Sequence, residues 1–181
     1  MSRIPTPSYE ASPAASQPLL DAVKKQLGSA PHLFRVLGNS PAALEGYLGL
    51  SGALGKGELD GRTRTRIAMT VAELNGCDYC LSAHTYLGKN LAKLDDAELT
   101  ANRDAASSDP KATAALRFAR AVVAERGHVP AAEVEAVKAA GYTDAQVIEI
   151  VLHVALNTLT NYVNTVAGTE IDFPVVAHRA P

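Results

Sequence analysis

The chain contains no tryptophan, three phenylalanines and only two cysteines in 181 residues. With aromatics at 5% there are few rings on which single-stranded nucleic acid bases could stack. Seventeen basic residues stand against nineteen acidic ones for a net charge of −2, so no basic field exists to neutralise phosphates. Two cysteines three positions apart cannot form the multi-bridge framework by which small secreted domains replace a core. Long apolar runs are missing too. The longest, near residues 147–156, is interrupted by Glu149 and His153 and is too short to span a bilayer. The N-terminal stretch MSRIPTPSYEASPAASQPLL lacks the apolar core of a signal peptide. These absences point to a cytoplasmic protein that binds neither nucleic acid nor membrane. Strand signals are also lacking, since no segment joins period-two alternation to a β-branched run with hairpin residues.

What the sequence does have is helix punctuation. Pro5, Pro7 and Pro13 remove donors and oppose helix, so residues 1–17 are expected to form an extended arm, followed by one helical domain over 18–181. Ser40-Pro41 pairs an N-cap with proline at the first helical position, and Asp109-Pro110 repeats the device. Asp60 caps a segment in which Ile67, Val71 and Leu74 share one face, and Asp95 opens another helix. Gly127 and Gly141 stand where helices should stop, and Thr143 with Gln146 has capping-box spacing. The fold class is all-α, a bundle of roughly seven to nine helices at a mean length of about 11–12 residues.

The chemistry concentrates in AELNGCDYCLSAHTYLG. Asn75-Gly76 ends one helix, so Cys77 should lie at the start of the next. Cys77, Cys80 and His84 then fall at i, i+3 and i+7, on one helical face. A helix N-terminus stabilises a thiolate, and an imidazole four residues from Cys80 can exchange its proton. Glu73 could polarise that imidazole. Three readings stay open on these residues alone: a redox-active dithiol, a metal module using Cys77, Cys80, His84 and Glu73, or inert buried thiols. A metal reading fits less well, because structural zinc sites draw ligand pairs from separate segments.

Farther on, Glu149, His153, Asn157, Asn161 and Asn164 thread a polar stripe through an apolar helix. Its simplest role is a hydrogen-bonded seam between helices or subunits; its alternative is to line a path to the thiols. Arg62, Arg64 and Arg66 are expected to form a solvated helix face, and Tyr47, Tyr86 and Phe118 to be core or interface bodies. His32, His128 and His178 receive no role.

The segment RTRTRIAMTVAELNGCDYCLSAHTYLG resembles the core motif of the alkylhydroperoxidase D-like proteins of the carboxymuconolactone decarboxylase superfamily. VLHVALNTLTNYVNTVAGTEIDFP and SAPHLFRVLGNSPAALEGYL are similar to the peroxidase-related branch of that superfamily. The resemblance implies an alkylhydroperoxidase D-like bundle assembled as a homotrimer or homohexamer, acting as a cysteine-based antioxidant peroxidase without cofactor or metal. Carried onto this chain, Cys80 attacks the hydroperoxide, Cys77 resolves the sulfenic acid as a disulfide, and His84 relays the proton. A lipoyl or thioredoxin-like dithiol then restores the thiols. Two positions depart from the pattern. Thr65 stands where the relay glutamate is expected, twelve residues before Cys77, and Tyr79 replaces a histidine. Glu73 is the remaining candidate carboxylate. Disulfide exchange without peroxidase activity is the alternative on the same fold.

Overall fold

The computed structural model describes residues 2–179, which contain nine α-helices, a short 3-10 turn at Ala14–Ser16 and no strand. The helices are α1 (Gln17–Leu27), α2 (His32–Leu37), α3 (Pro41–Leu54), α4 (Gly61–Leu74) and α5 (Asp78–Asn90), then α6 (Asp96–Arg103), α7 (Pro110–Ala124), α8 (Ala131–Ala139) and α9 (Asp144–Ala167). No helix among the described residues is long and apolar enough to cross a membrane. The caps read from the sequence form as expected. Ser40 Oγ accepts from Ala43 N, Asp60 from the N–H groups of Arg62 and Thr63, Asp95 from Glu98 N and Asp109 from Lys111 N. Thr143 and Gln146 complete a reciprocal capping box that fixes the start of α9. Gly127 and Gly141 take φ of +84° and +93°, the left-handed conformation that ends α7 and follows α8.

Two apolar clusters share α4. One joins Ile67 and Val71 to Leu116 and Phe118 of α7, Val137 of α8 and Ile150 of α9. The other joins Met69 to Leu20, Leu33, Leu44 and Leu81, and it contains both cysteines. The apolar face of α4 ends at Val71. Leu74, expected on that face, is 42% exposed because it is the last residue of the helix. Arg66 also departs from expectation: instead of lying on a solvated face it is buried, its Nε donating to Glu98 at 2.7 Å.

Residues 2–13 carry no helix but are tied down. The N–H groups of Arg3 and Ile4 donate to Ala167 O, and Arg35 donates to the carbonyls of Thr6 and Pro7. The chain after α9 returns across the start of α5. Tyr79 donates its hydroxyl to Asp172, Val176 N donates to Ser82 Oγ, and His178 N donates to Asp78. This strap and the body of α9 enclose the thiol-bearing end of α5.

Candidate functional site

Asn75-Gly76 performs the break that its sequence suggests, with Gly76 at φ +63°. Cys77 follows in extended conformation as the N-cap of α5, not as part of the helix. Its Sγ therefore turns back and accepts from Cys80 N at 3.4 Å. Cys77 and Cys80 are thus brought together by capping geometry, and helical periodicity places only Cys80 and His84. Both thiols are free and 2% exposed.

Cys80 has a second set of neighbours, all from α9. Asn164 Nδ2 donates to its Sγ at 3.3 Å. The Cys77 thiol, then Asn164, Asn161 and Thr160, hold Cys80 below the ordinary thiol pKa against the opposing effect of burial. Cys77 is pushed the other way by its hydrogen bond to Cys80 and by burial. Within this pair the negative charge belongs on Cys80. Its sulfur accepts from the Asn164 amide of another helix, whereas Cys77 has the N-capping amide and Thr165 against the charge of its neighbour.

His84 is half-buried and lines a cavity of about 1160 Å³ together with Tyr47, Thr65, Cys80, His153 and Asn157. Burial pushes its pKa down from 6.5 to about 4, opposed by a hydrogen bond with Asn157. It is therefore neutral near pH 7 and suited to pass a proton rather than store one. Glu73 is not brought to it. One carboxylate oxygen accepts from Arg103 Nε at 2.6 Å and the other from Arg179 N at 2.8 Å. The expectation that Glu73 orients His84 is corrected on that ground, and Asn157 occupies the orienting place. The four-ligand metal set fails for the same reason. Among the described residues no three His, Cys, Asp or Glu side chains are placed to hold a metal ion.

Tyr79, which replaces a histidine of the family pattern, is a structural tie: its hydroxyl accepts from Leu33 N and donates to Asp172. Tyr47, read from sequence as an apolar body, instead faces the cavity, its hydroxyl pushed up to about 12 by burial and by the Cys80 charge. No local signal marks it, because α3 and α5 come to line one cavity only in the fold. The α9 stripe splits between its two expected roles. Asn161 accepts from Asn75 Nδ2 at 2.8 Å, which is a seam, while His153 and Asn157 line the cavity. Among the described residues, His153 Nε2, Asn161 Nδ2 and Asn164 Oδ1 are buried without hydrogen-bond partners. His128 is exposed, and His178 pairs with Asp78.

Residues 41–121 match the carboxymuconolactone decarboxylase family. No curated protein sequence matches the chain. A crystal structure described as an alkylhydroperoxidase AhpD core, an uncharacterized peroxidase-related protein from Ralstonia eutropha JMP134, superposes with a TM-score of 0.84 at 26% identity, covering 94% of this chain and 92% of that one. A peroxidase-related protein from Silicibacter sp. TM1040 gives 0.79 at 22% identity over 92% and 88% of the two chains. The debrominase Bmp8, in a cysteine-to-alanine variant complexed with 2,3,4-tribromopyrrole, gives 0.74 at 20% identity over 88% and 86%. These last two likenesses establish a shared fold.

Proposed function

We propose that this chain, which matches the carboxymuconolactone decarboxylase family over residues 41–121 and is similar in fold to an alkylhydroperoxidase AhpD core, is a thiol-dependent hydroperoxide reductase working through Cys80 and Cys77. The observation that carries this reading is the position of Cys80 Sγ. It is buried at the lining of a large cavity, accepts from Asn164, and has a second thiol within reach. A thiolate so placed attacks the outer oxygen of a hydroperoxide. The O–O bond breaks, the alkoxide takes a proton through His84 and leaves as an alcohol, and Cys80 becomes a sulfenic acid. Cys77 then attacks that sulfur, the S–S bond forms, and water leaves. A dithiol donor reduces the disulfide and is itself oxidised.

Burial of both sulfurs favours a slender donor of the lipoyl type over a thioredoxin-like domain, since only a narrow arm can reach Cys80 by the cavity. The same burial argues against protein-to-protein disulfide exchange as the main activity. Assembly into a homotrimer or homohexamer belongs to the same proposal. The outer face of α9 leaves Ile148, Leu152, Leu159, Tyr162 and Val166 exposed, an apolar stripe that a second copy would cover. Mass measurement across a dilution series tests it, and a monomer at every concentration rejects it.

For the chemistry, reduced protein receives one equivalent of cumene hydroperoxide while free thiols are counted. Wild type should lose two thiols and form one intramolecular disulfide. Cys77→Ser should consume peroxide once and stop at the sulfenic acid, and Cys80→Ser should be slower by about 100-fold or more. Undiminished consumption by Cys80→Ser rejects the assignment of the nucleophile.

A further inference from the structure

The cavity that Cys80 lines has a second pole of different character. Three arginines alternate along the first two turns of α4, and only one has a carboxylate partner. Arg66 is held by Glu98 at 2.7 Å and Asp109 at 4.0 Å. Arg62 and Arg64 line the cavity and form no ion pair among the described residues. Arg64 is half-buried, and its one fixed hydrogen bond runs from Nη1 to Leu54 O at 3.1 Å. A guanidinium has five N–H donors, so most of its capacity is unspent.

His153 lines the same cavity, is 5% exposed, and has Nε2 buried with no hydrogen-bond partner among the described residues. Arg64 and His153 line the same cavity; desolvation and then the Arg64 charge push the His153 pKa down to about 4, against the Glu149 charge, and leave the ring neutral. The acidic groups nearby are already committed. Asp60 accepts from the N–H groups of Arg62 and Thr63 and from the Thr63 hydroxyl. Glu149 accepts from the N–H groups of Glu58 and Leu59. Among the described residues, a half-buried cation with no ion pair and a buried imidazole with an unpartnered Nε2 on the wall of one cavity are a costly arrangement in an apolar setting. A ligand carboxylate would satisfy both. Leu33, Phe34, Leu87 and Phe173 supply apolar wall elsewhere in the same cavity.

We propose that Arg64 and His153 form a carboxylate-binding pole, and that the molecule presented to Cys80 is an amphipathic organic acid carrying its hydroperoxide along an apolar chain. The second half rests on the peroxidase reading; the first half does not. On α9, His153 is separated from Thr160 and Asn164, the residues facing Cys80, by about 10–16 Å at 1.5 Å per residue. That span sets the expected distance between carboxylate and peroxide, and it excludes hydrogen peroxide as the best substrate.

Two measurements on the reduced full-length protein at pH 7 test the two halves separately. Calorimetric titration with decanoate and with decanol should show tighter binding of the acid. Arg64→Met should weaken decanoate about tenfold relative to decanol, and Arg64→Lys should recover part of the difference. Equal affinity of wild type for acid and alcohol overturns the carboxylate pole, as does an Arg64→Met protein that melts like wild type and keeps the preference. The second measurement compares a fatty-acid hydroperoxide with its methyl ester. The kcat/KM ratio of acid to ester should exceed about ten in wild type and fall toward one in Arg64→Met. A wild-type ratio near one overturns the substrate class. Absence of reduction for both compounds counts against the peroxidase reading and removes the substrate half with it, while the titration still decides the pole.

Discussion

Arg66, Glu98 and Asn102 have been taken out of water; so have His153, Asn157, Thr160, Asn161 and Asn164 of α9. The two groups are completed differently. Glu98 accepts from Arg66, Asn102, Ser107 and Ser108, the last through both backbone and side chain, and these bonds hold its pKa down to about 2 against burial. Only Asn102 Oδ1 is left over. On α9, by contrast, His153, Asn161 and Asn164 each retain a buried polar atom without a protein partner. A closed network spends its polarity on holding helices together. An open one keeps donors and acceptors for a ligand, a reacting sulfur or bound water. The contrast supports the α9 cluster as the candidate site without appeal to the cysteines.

The sharpest way to break this comparison is at Glu98. Glu98→Ala leaves the buried Arg66 guanidinium with only the distant, exposed Asp109, and should cost about 3–5 kcal/mol in urea denaturation. The thiol alkylation rate of the folded fraction should not move. A loss below about 1 kcal/mol would show that the closed network is not what binds α4 to α6.

Acid should act on the open cluster next. His84 and His153 are both held down to about 4 by burial, so between pH 4 and 6.5 the unfolded chain binds protons that the folded chain refuses. Stability then rises with pH through that window and is lost as pH falls. Going from pH 7 to 5 should cost about 1–2 kcal/mol for each histidine, read as a fall in the urea midpoint. Glu98 adds nothing there. Its lowered pKa contributes stability above about 4.5 that is lost only as pH falls toward 2. A wild-type midpoint unchanged between pH 7 and 5, or the same slope in His84→Gln/His153→Gln, contradicts the placement of these rings.

Legibility in the sequence divides along the same line. Features fixed by neighbours in the chain were readable: the caps at Asp60, Asp109 and Thr143, the stop at Gly127, and the break at Gly76 that puts Cys77 at the head of α5. Pairings between distant elements were not. Glu73 looked like the partner of His84 because it lies four residues before Cys77, yet the turn at Gly76 sends it to Arg103 and Arg179. Arg66 looked solvated because its partner lies 32 residues away. The polar stripe of α9 was visible as a stripe, but its contact with Cys80 spans 84 residues and no local pattern encodes it.

That contact gives the third test. Asn164→Leu removes the amide donor from Cys80 Sγ while keeping the volume similar, and it also removes the unpartnered Oδ1. Alkylation of Cys80 at pH 7 should slow about tenfold as the thiolate fraction falls. Stability should stay within about 1 kcal/mol of wild type, because an open polar group costs the fold more than it returns. A large destabilisation with an unchanged alkylation rate would move Asn164 into the structural class with Glu98.

The smallest effect is expected at Thr65, where the family pattern has a carboxylate. Thr65 lines the cavity with His84, and its hydroxyl is spent on Gly61 O at 2.8 Å, one turn back in α4. Gly88 of α5 lies directly against it, since a Cβ at Gly88 would come within 3.4 Å of the Thr65 methyl. Thr65→Glu therefore places a carboxylate at the wall that His84 faces, where it favours the imidazolium and adds an acceptor to the open cluster. The pKa of His84 should rise from about 4, and single-turnover peroxide reduction at pH 6 should quicken about two- to threefold, with less gain at pH 8. Stopped-flow measurement across that range reads both. If the profile does not move, a carboxylate at position 65 does not act on His84, and the hydrogen bond with Asn157 from α9 is what governs the ring.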